Sequence, residues 1–346
     1  EVEVLLQGAG STMIKTRNDG AYAFPPMPYG GQYTVLPARN DNYMNGVSTA
    51  DLVAIQRHLL GLKELDSPYK FIAADANNSK EITAKDISEL RKLILGIQDE
   101  IPGNTSWKFV DKAYVFADPA NPLNETYPEA YPINGLNTNM MNIDFVAVKV
   151  GDVNGSVKPN ELLGTQVRTL AGQLNLEVDA ITYEAGELVS VPVYAKDFAG
   201  FTGYQFTLHF DRDQLIFNDL RAGQLDVNQG NFGLNRVNEG VITTSWNGTA
   251  TEIAADEALF TLEFRANRSG SLVDELFISS DVTAAEAYDI NDEFYGVRLG
   301  YRSNAAKGVF ALYQNTPNPF ADDTYIRFSL VEAGEANLTI YDVNGK

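Results

Sequence analysis

The sequence contains no cysteine, which excludes disulfides, thiolate nucleophiles and zinc–thiolate sites and leaves the chain indifferent to the redox state of its compartment. Histidine is nearly as scarce. The two present, His58 and His209, fall in a helical and a strand-like pattern respectively, so a nucleophile needing an adjacent imidazole base has little to draw on. No G-x-S-x-G, H-E-x-x-H or phosphate-binding glycine loop occurs, and no apolar run approaches the length of a membrane span. Positive charge is also short: 26 Lys+Arg face 46 Asp+Glu, a net charge of −20 over 346 residues. Such a field repels phosphate backbones and anionic headgroups and gathers cations, which disfavours nucleic acid and favours a divalent cation such as calcium.

What is present is enough to fold. Hydrophobic residues are 44% and charged residues 21% of the chain, far from a disordered composition, and the length implies several modules. Residues 1–39 read as β-structure: Val2, Val4 and Leu6 on one face, an Asn18-Asp19-Gly20 turn, Tyr22 and Phe24, then Gly30-Gly31 before Tyr33-Thr34-Val35. The run TRNDGAYAFPPMPYGGQYTVLP resembles the carboxypeptidase-regulatory-like (prealbumin-like) modules of bacterial surface proteins, without their opening strand. A β-spacer with no ligand is the expected role.

Residues 40–97 carry an internal repeat at a spacing of 35: Asp51 to Leu62 aligns with Asp86 to Ile97. Leu52/Ile55/Leu59 and Ile87/Leu90/Ile94 recur at helical spacing, and Gly61 and Gly96 stand where helices end. Two amphipathic helices must therefore bury these stripes against each other.

Before the second helix, Asp75-Ala76-Asn77-Asn78-Ser79-Lys80-Glu81-Ile82-Thr83-Ala84-Lys85-Asp86 places short oxygen-bearing side chains at positions 1, 3, 5, 9 and 12. A loop curling round a hard cation presents alternate side chains inward, with a backbone carbonyl at position 7, so Asp75, Asn77, Ser79, Thr83, Asp86 and the Glu81 carbonyl are the expected calcium ligands. Lys80 replaces the usual turn glycine, and the last ligand is Asp rather than Glu. The first copy supplies Asn40, Asn42, Ser48 and Asp51 with the Met44 and Gly46 carbonyls. Ser48, Asp51, Thr83 and Asp86 also suit the capping of helix N-termini, which accounts for them without a metal but not for the spaced oxygens upstream.

A duplicated loop-helix ending in Asp resembles a type I dockerin, through NGVSTADLVAIQRHLLGL and AADANNSKEITAKDISELRKLILGI. The resemblance implies that Thr49/Ala50 and Ala84/Lys85, with Gln56/Arg57 and Arg91/Lys92, contact a cohesin. These pairs differ between the repeats.

Residues 98–160 are rich in Pro and Asn, with strands expected around Trp107, Phe109, Tyr114 and Phe116, and read as a β extension packed on the helix pair. Near its end Asp152, Asn154 and Ser156 look like half a calcium loop, making Asp152 and Asn154 candidates for an additional metal; a type I turn explains them equally well. Residues 161–169 read as a linker.

Residues 170–302 show short alternating strands and no convincing helix, the pattern of a β-sandwich. The segments GELVSVPVYAKDFAGFTGYQFTLHFDRDQLIF, ITTSWNGTATEIAADEALFTLEFRA and AEAYDINDEF resemble a cohesin. From Phe310, LYQNTPNPFADDTYIRFSLVEAGEANLTIYDVNGK resembles the start of the C-terminal sorting domain of type IX secretion, about half of it, and implies a partial C-terminal β-sandwich. With both terminal modules incomplete, the chain reads as an internal piece of a longer precursor.

The fold class expected is therefore mainly β and multi-domain, with a small calcium-binding helical pair. No catalytic residues are expected, because every segment reads as non-catalytic. The function implied is an extracellular or cell-surface, calcium-stabilised structural or adhesive protein (an adhesin), exported by type IX secretion. It would make cohesin–dockerin-type contacts, including with copies of itself in fibres, without membrane insertion or nucleic acid. The alternative is the scaffold and sorting tail of a secreted carbohydrate-active enzyme, a class that 46 acidic residues leave open.

Overall fold

In the computed structural model of the chain, residues 1–8, 10–159, 170–302, 311–312, 326, 328–330 and 336–340 are described. The linker expected at 161–169 and most of the sorting segment at 310–346 lie outside these residues.

Alternation at the N-terminus produces β1 (Glu3–Gly8), β2 (Thr12–Lys15) and β3 (Gln32–Ala38). Val4, Leu6, Tyr33 and Val35 turn to one buried face. The Asn18-Asp19-Gly20 turn forms, closed by an Arg17 N–H to Ala21 carbonyl bond of 2.8 Å, with Gly20 at φ +82. Tyr22 and Phe24 are not in a strand; they pack edge to face as a half-buried cover on this core. The sheet is completed from far along the chain. β5 (Tyr131–Asn134) pairs antiparallel with β3, placing Ile133 opposite Tyr33, so the order is β2-β1-β3-β5. The segments 1–39 and 98–160 thus share one sheet, with the helices inserted between them.

The repeat forms α1 (Thr49–Leu59) and α3 (Ala84–Ile94), with a short α2 (Pro68–Ala74) between them. α2 begins on Ser67, whose hydroxyl accepts from the Tyr69 N–H, and has proline in its first turn, where a missing N–H costs nothing. Leu52 and Ile55 of α1 meet Leu90 and Ile94 of α3 in a core with no exposure. β4 (Trp107–Asp111) and β6 (Phe145–Lys149) form a two-stranded ribbon that adds Val110 and Val148 to this core, along with Phe116 and Tyr127. The extension packs on the helices as its composition implies, although Tyr114 and Phe116 lie beyond the strand and act through ring contacts.

Among the described residues the C-terminal sandwich has its own core of 31 buried residues. Its main strands are β7 (Gly172–Asp179), β8 (Leu188–Ala195), β9 (Phe201–Phe210), β10 (Leu215–Ala222), β11 (Val241–Asn247), β12 (Phe260–Ala266), β13 (Leu276–Ser279), β14 (Glu286–Asp289) and β15 (Phe294–Arg302). The hydrogen-bonded order is β10-β12-β8-β7-β15-β14-β9-β11, and β13 also pairs with β9. First and last strands run parallel over eight residue pairs, Tyr295 opposite Gly172 to Arg302 opposite Asp179.

β9 and β11 depart from the alternation of a half-solvated sheet. Tyr204, Phe206, Leu208, Ile242 and Trp246 fill the sandwich core, yet the intervening Gln205, Thr207, Thr243 and Ser245 are buried as well. Both faces must be covered, and the helix pair is the cover.

Candidate functional site: the interface between the helix pair and the sandwich

The outward residues of β9 and β11 are small or polar, which lets helices approach and leaves hydrogen-bonding groups to satisfy. Gly203 permits a close approach of α1: a Cβ there would lie 2.9 Å from Val53 Cγ2 and 3.1 Å from Thr49 Cγ2. At the N-terminus of α1, the free Thr49 N–H donates to Gln205 Oε1 at 2.7 Å, and the Thr49 and Ser245 hydroxyls share a bond of 2.7 Å.

The C-terminus of α3 meets the same sheet. Its terminal carbonyls have no intrahelical donors, and the sandwich supplies them: Thr283 Oγ1 donates to the Ile94 carbonyl at 2.6 Å, Thr243 Oγ1 to Leu95 at 2.6 Å, and Asn235 Nδ2 to Gly96 at 3.0 Å. The sequence reading singled out neither these threonines nor Gln205 and Ser245. The orphan carbonyls were a usable signal; their donors, Thr243 on a strand that also reads as solvated and Thr283 and Asn235 in connecting loops, were not.

Between these ends lie longer polar side chains. Asn247 receives a hydrogen bond from Arg91 Nη2 and donates to Gln56 Oε1 at 2.8 Å. Burial holds the Arg91 guanidinium below its usual range, and its Nε has no partner. Arg57 donates to Asp292 and to the carbonyls of Asp289 and Ile290 at 3.2 and 3.4 Å, while Lys63 Nζ reaches Asp292 at 2.7 Å. Burial alone would raise the Asp292 carboxyl, but Lys63 and Arg57 outweigh it and hold it below the usual carboxylate range.

Of the expected partner-binding residues, Thr49, Gln56, Arg57 and Arg91 therefore face the sandwich of their own chain. Lys85 is exposed, its N–H bonded to Thr83 Oγ1, and Lys92 is tied to Glu89 on its own helix at 2.9 Å. The two histidines sit in separate surroundings: His58 packs edge-on against Phe71, and His209 stacks on Phe277 beside Ser279.

The second loop curls as its oxygen spacing predicts. Asp75 accepts from the Ser79 and Lys80 N–H groups at 2.8 and 3.0 Å, and Asp86 from those of Asn77 and Thr83 at 3.1 and 2.8 Å. Ser79 Oγ lies 3.1 Å from the Glu81 carbonyl. Lys80 takes φ +70, the left-handed conformation a glycine would have given. Asp75 and Asp86 are buried, and burial raises the Asp75 carboxyl. Both amide atoms of Asn77 are shielded from solvent without a partner. Two buried carboxylates beside an unsatisfied amide fit a hard cation with oxygen ligands. Among the described residues no group of three or more histidine, aspartate or glutamate side chains gathers as metal ligands, so neutral oxygens would have to complete the shell.

The first loop differs. Asn40 Oδ1 accepts from the Ser106 N–H at 2.8 Å, Asn42 Oδ1 from that of Asn45 at 3.0 Å, and the Met44 carbonyl from that of Val47 at 2.9 Å. Asn42 and Met44 thus close local turns and Asn40 ties the loop to Ser106, instead of gathering with Asp51. Only Gly46, Ser48 and Asp51 of the expected set approach one another, and Asp152 joins them: burial, then the Asp152 charge, pushes Asp51 up to about 7. Asp51 and Asp86 also cap their helices, each accepting the N–H of the residue three before it.

A family model described as "Cohesin domain" matches residues 174–292. Similar solved structures include the seventh ScaB type I cohesin from Pseudobacteroides cellulosolvens (17% identity over 39% of this chain and 96% of that one, TM-score 0.29). The sixth cohesin of Acetivibrio cellulolyticus scaffoldin B, in complex with a Cel5 dockerin mutant, has 20% identity over 38% and 99%, TM-score 0.28. The Clostridium thermocellum Coh-OlpC–Doc435 complex gives 12% over 39% and 94%, TM-score 0.31. A search of curated proteins finds no match. Residues 174–292 thus form a cohesin domain, a non-catalytic module.

Proposed function

We propose that this chain is an extracellular structural protein whose helix pair and cohesin domain form a dockerin–cohesin-type contact closed within one molecule. The observation that carries this reading is the set of hydrogen bonds from both ends of the helix pair to one side of the sandwich: Thr49 to Gln205 and Ser245, and Thr243 and Thr283 to the end of α3. Cohesin proteins are typically extracellular or on the cell surface, in line with such a placement; export by type IX secretion is part of the proposal and rests on the 310–346 sequence alone.

Calcium belongs to the same reading. When bound at Asp75, Asn77, Ser79, Thr83, Asp86 and the Glu81 carbonyl, it supplies the positive charge that the buried carboxylates lack. The chain's own residues fix the loop and the start of α3. Fibres would require the helix pair of one copy to occupy the cohesin domain of the next, a heterologous contact that repeats head to tail.

Sedimentation of the full chain with calcium, beside the Arg57→Asp/Arg91→Asp double variant, tests the proposal. The expected outcome is a compact wild type and a variant with a higher frictional ratio but intact secondary structure; an unchanged ratio would sink the docking reading. Polymers growing with concentration and shrinking in the variant would support exchange between copies, whereas a monomer at every concentration confines the contact to one chain.

A further inference from the structure

We infer that the first cation site of the helical module is split between two distant chain segments, with Asp152, Asn154 and Ser156 supplying the half that residues 40–45 do not. The inference rests on the calcium reading of the second loop.

The two loops match bond for bond. Asp152 accepts from the Ser156 and Val157 N–H groups at 2.9 Å each, as Asp75 does from Ser79 and Lys80. Asp51 Oδ1 accepts from the Asn154 N–H at 3.2 Å, as Asp86 Oδ1 does from Asn77. Ser156 Oγ donates to the Gly46 carbonyl at 3.0 Å, as Ser79 Oγ does to Glu81. Ser48 then stands to Asp51 as Thr83 stands to Asp86, with N–H to carboxylate bonds of 2.9 and 2.8 Å. The intervals agree too: Asp152, Asn154 and Ser156 keep the spacing of Asp75, Asn77 and Ser79, and Gly46, Ser48 and Asp51 that of Glu81, Thr83 and Asp86. The break in the chain falls between the fifth and seventh loop positions.

Two observations beyond the hydrogen bonds bear on the split loop, one made at its counterpart and one at its own seam. Asn77, the counterpart of Asn154, holds an amide shielded from water with both atoms unpartnered, which marks the shared geometry as built for a further atom. The halves of the split loop also interlock: Gly46 lies at φ +81, and a Cβ there would fall 2.7 Å from Val157 Cα, so the segments are fitted to each other backbone to backbone.

The proposed ligands are thus Asp152, Asn154, Ser156, the Gly46 carbonyl, Ser48 and Asp51. An ion held this way ties residues about a hundred positions apart, since the Asp51 to Val153 hydrogen bond spans 102 residues. It fastens the end of the β extension to the first turn of α1, the turn that presents Thr49 to the cohesin domain. The second site would stiffen only a local loop.

Calorimetric titration of the metal-free full chain with Ca2+ tests the split. Two ions are expected in the wild type, one after Asp152→Asn, one after Asp75→Asn, and two after Asn40→Ala/Asn42→Ala. Asn154→Ala removes an exposed neutral side chain at little cost to folding and should weaken one of the two sites roughly tenfold; circular dichroism confirms that each variant is folded. A wild type binding one ion that Asp75→Asn abolishes would overturn the split site while leaving the second loop standing, as would loss of an ion in the Asn40/Asn42 variant but not in Asp152→Asn or Asn154→Ala. A wild type binding none overturns both.

Discussion

The hydroxyls of Thr49, in the first turn of α1, and Ser245, in the middle of β11, meet at 2.7 Å with neither residue exposed to solvent. A buried pair of this kind is worth little in net terms, because each hydroxyl gives up water, but it is costly to break from one side. Thr49→Val should therefore destabilise the docked state by about 1–3 kcal/mol by leaving Ser245 unsatisfied, whereas Thr49→Val with Ser245→Ala should recover much of the loss. A double-mutant cycle in urea, with helix docking followed separately from sandwich unfolding, reads the coupling. Simple additivity would mean that the hydroxyls do not depend on each other.

Gly203 offers a steric test of the same interface. Any Cβ at this position comes within 2.9 Å of Val53 and 3.1 Å of Thr49, and valine adds two methyl groups where α1 already sits. Gly203→Val should separate the helix pair from the sandwich and leave the sandwich folded, since the added atoms point away from its core. Limited proteolysis should then cut between the modules in the variant while the 170–302 fragment persists. Equal resistance in variant and wild type would contradict the close approach.

The elements most legible in the sequence were those that a single period specifies. Leu52, Ile55, Leu90 and Ile94 fix α1 and α3, and strands such as β8 and β12 of the cohesin domain alternate cleanly. The docking face was harder to read, because Gln205, Thr243 and Ser245 are uncharged polar residues that suit either water or a covering helix. The pairing of β5 with β3 was likewise hidden: antiparallel partners about a hundred residues apart leave no local periodicity. At the candidate ion sites, the contiguous Asp75–Asp86 loop carries its whole oxygen spacing in one stretch. The other loop has its first half at Asp152–Ser156 and its second at Gly46–Asp51, so a search along the chain meets the two halves separately and finds Asn40–Asn45 in place of the missing one.

Acid should loosen docking only at low pH. Lys63 and Arg57 hold the Asp292 carboxyl below its usual range despite burial, so its charged form is favoured in the docked state. A depressed acid contributes stability that is fully present above its undocked pKa, about 3.9, and lost as pH falls through the still lower docked value. Helix docking should be flat from neutral pH to about 5 and weaken below about 4. Asp292→Asn should remove that acid limb at a cost of no more than about 1 kcal/mol at neutral pH, because Asp292 and Lys63 are largely solvent-exposed and screened. A transition centred near pH 6 would assign the pH response to other groups.

Chelation should act on the helical module and spare the sandwich. Asp75 and Asp86 are buried close to each other and to the unpartnered Asn77 amide, so the metal-free loop carries like charges without a compensating cation. An ion bound by the folded loop and not by the unfolded chain stabilises by about 2.7 kcal/mol at a hundredfold excess over its Kd. EDTA should therefore lower the melting temperature of the transition that exposes residues 40–159. The sandwich transition should stay in place, since its core is formed by a separate set of residues, from Leu174 to Val297. Asp75→Ala should abolish most of the calcium-dependent shift and also cost stability without calcium, because the Ser79 and Lys80 N–H groups lose their acceptor. Differential scanning calorimetry of wild type and variant, each with calcium and with EDTA, distinguishes the two effects. If EDTA moves neither transition and Asp75→Ala is silent in all four scans, the loop is a capped turn and binds no ion that matters to the fold.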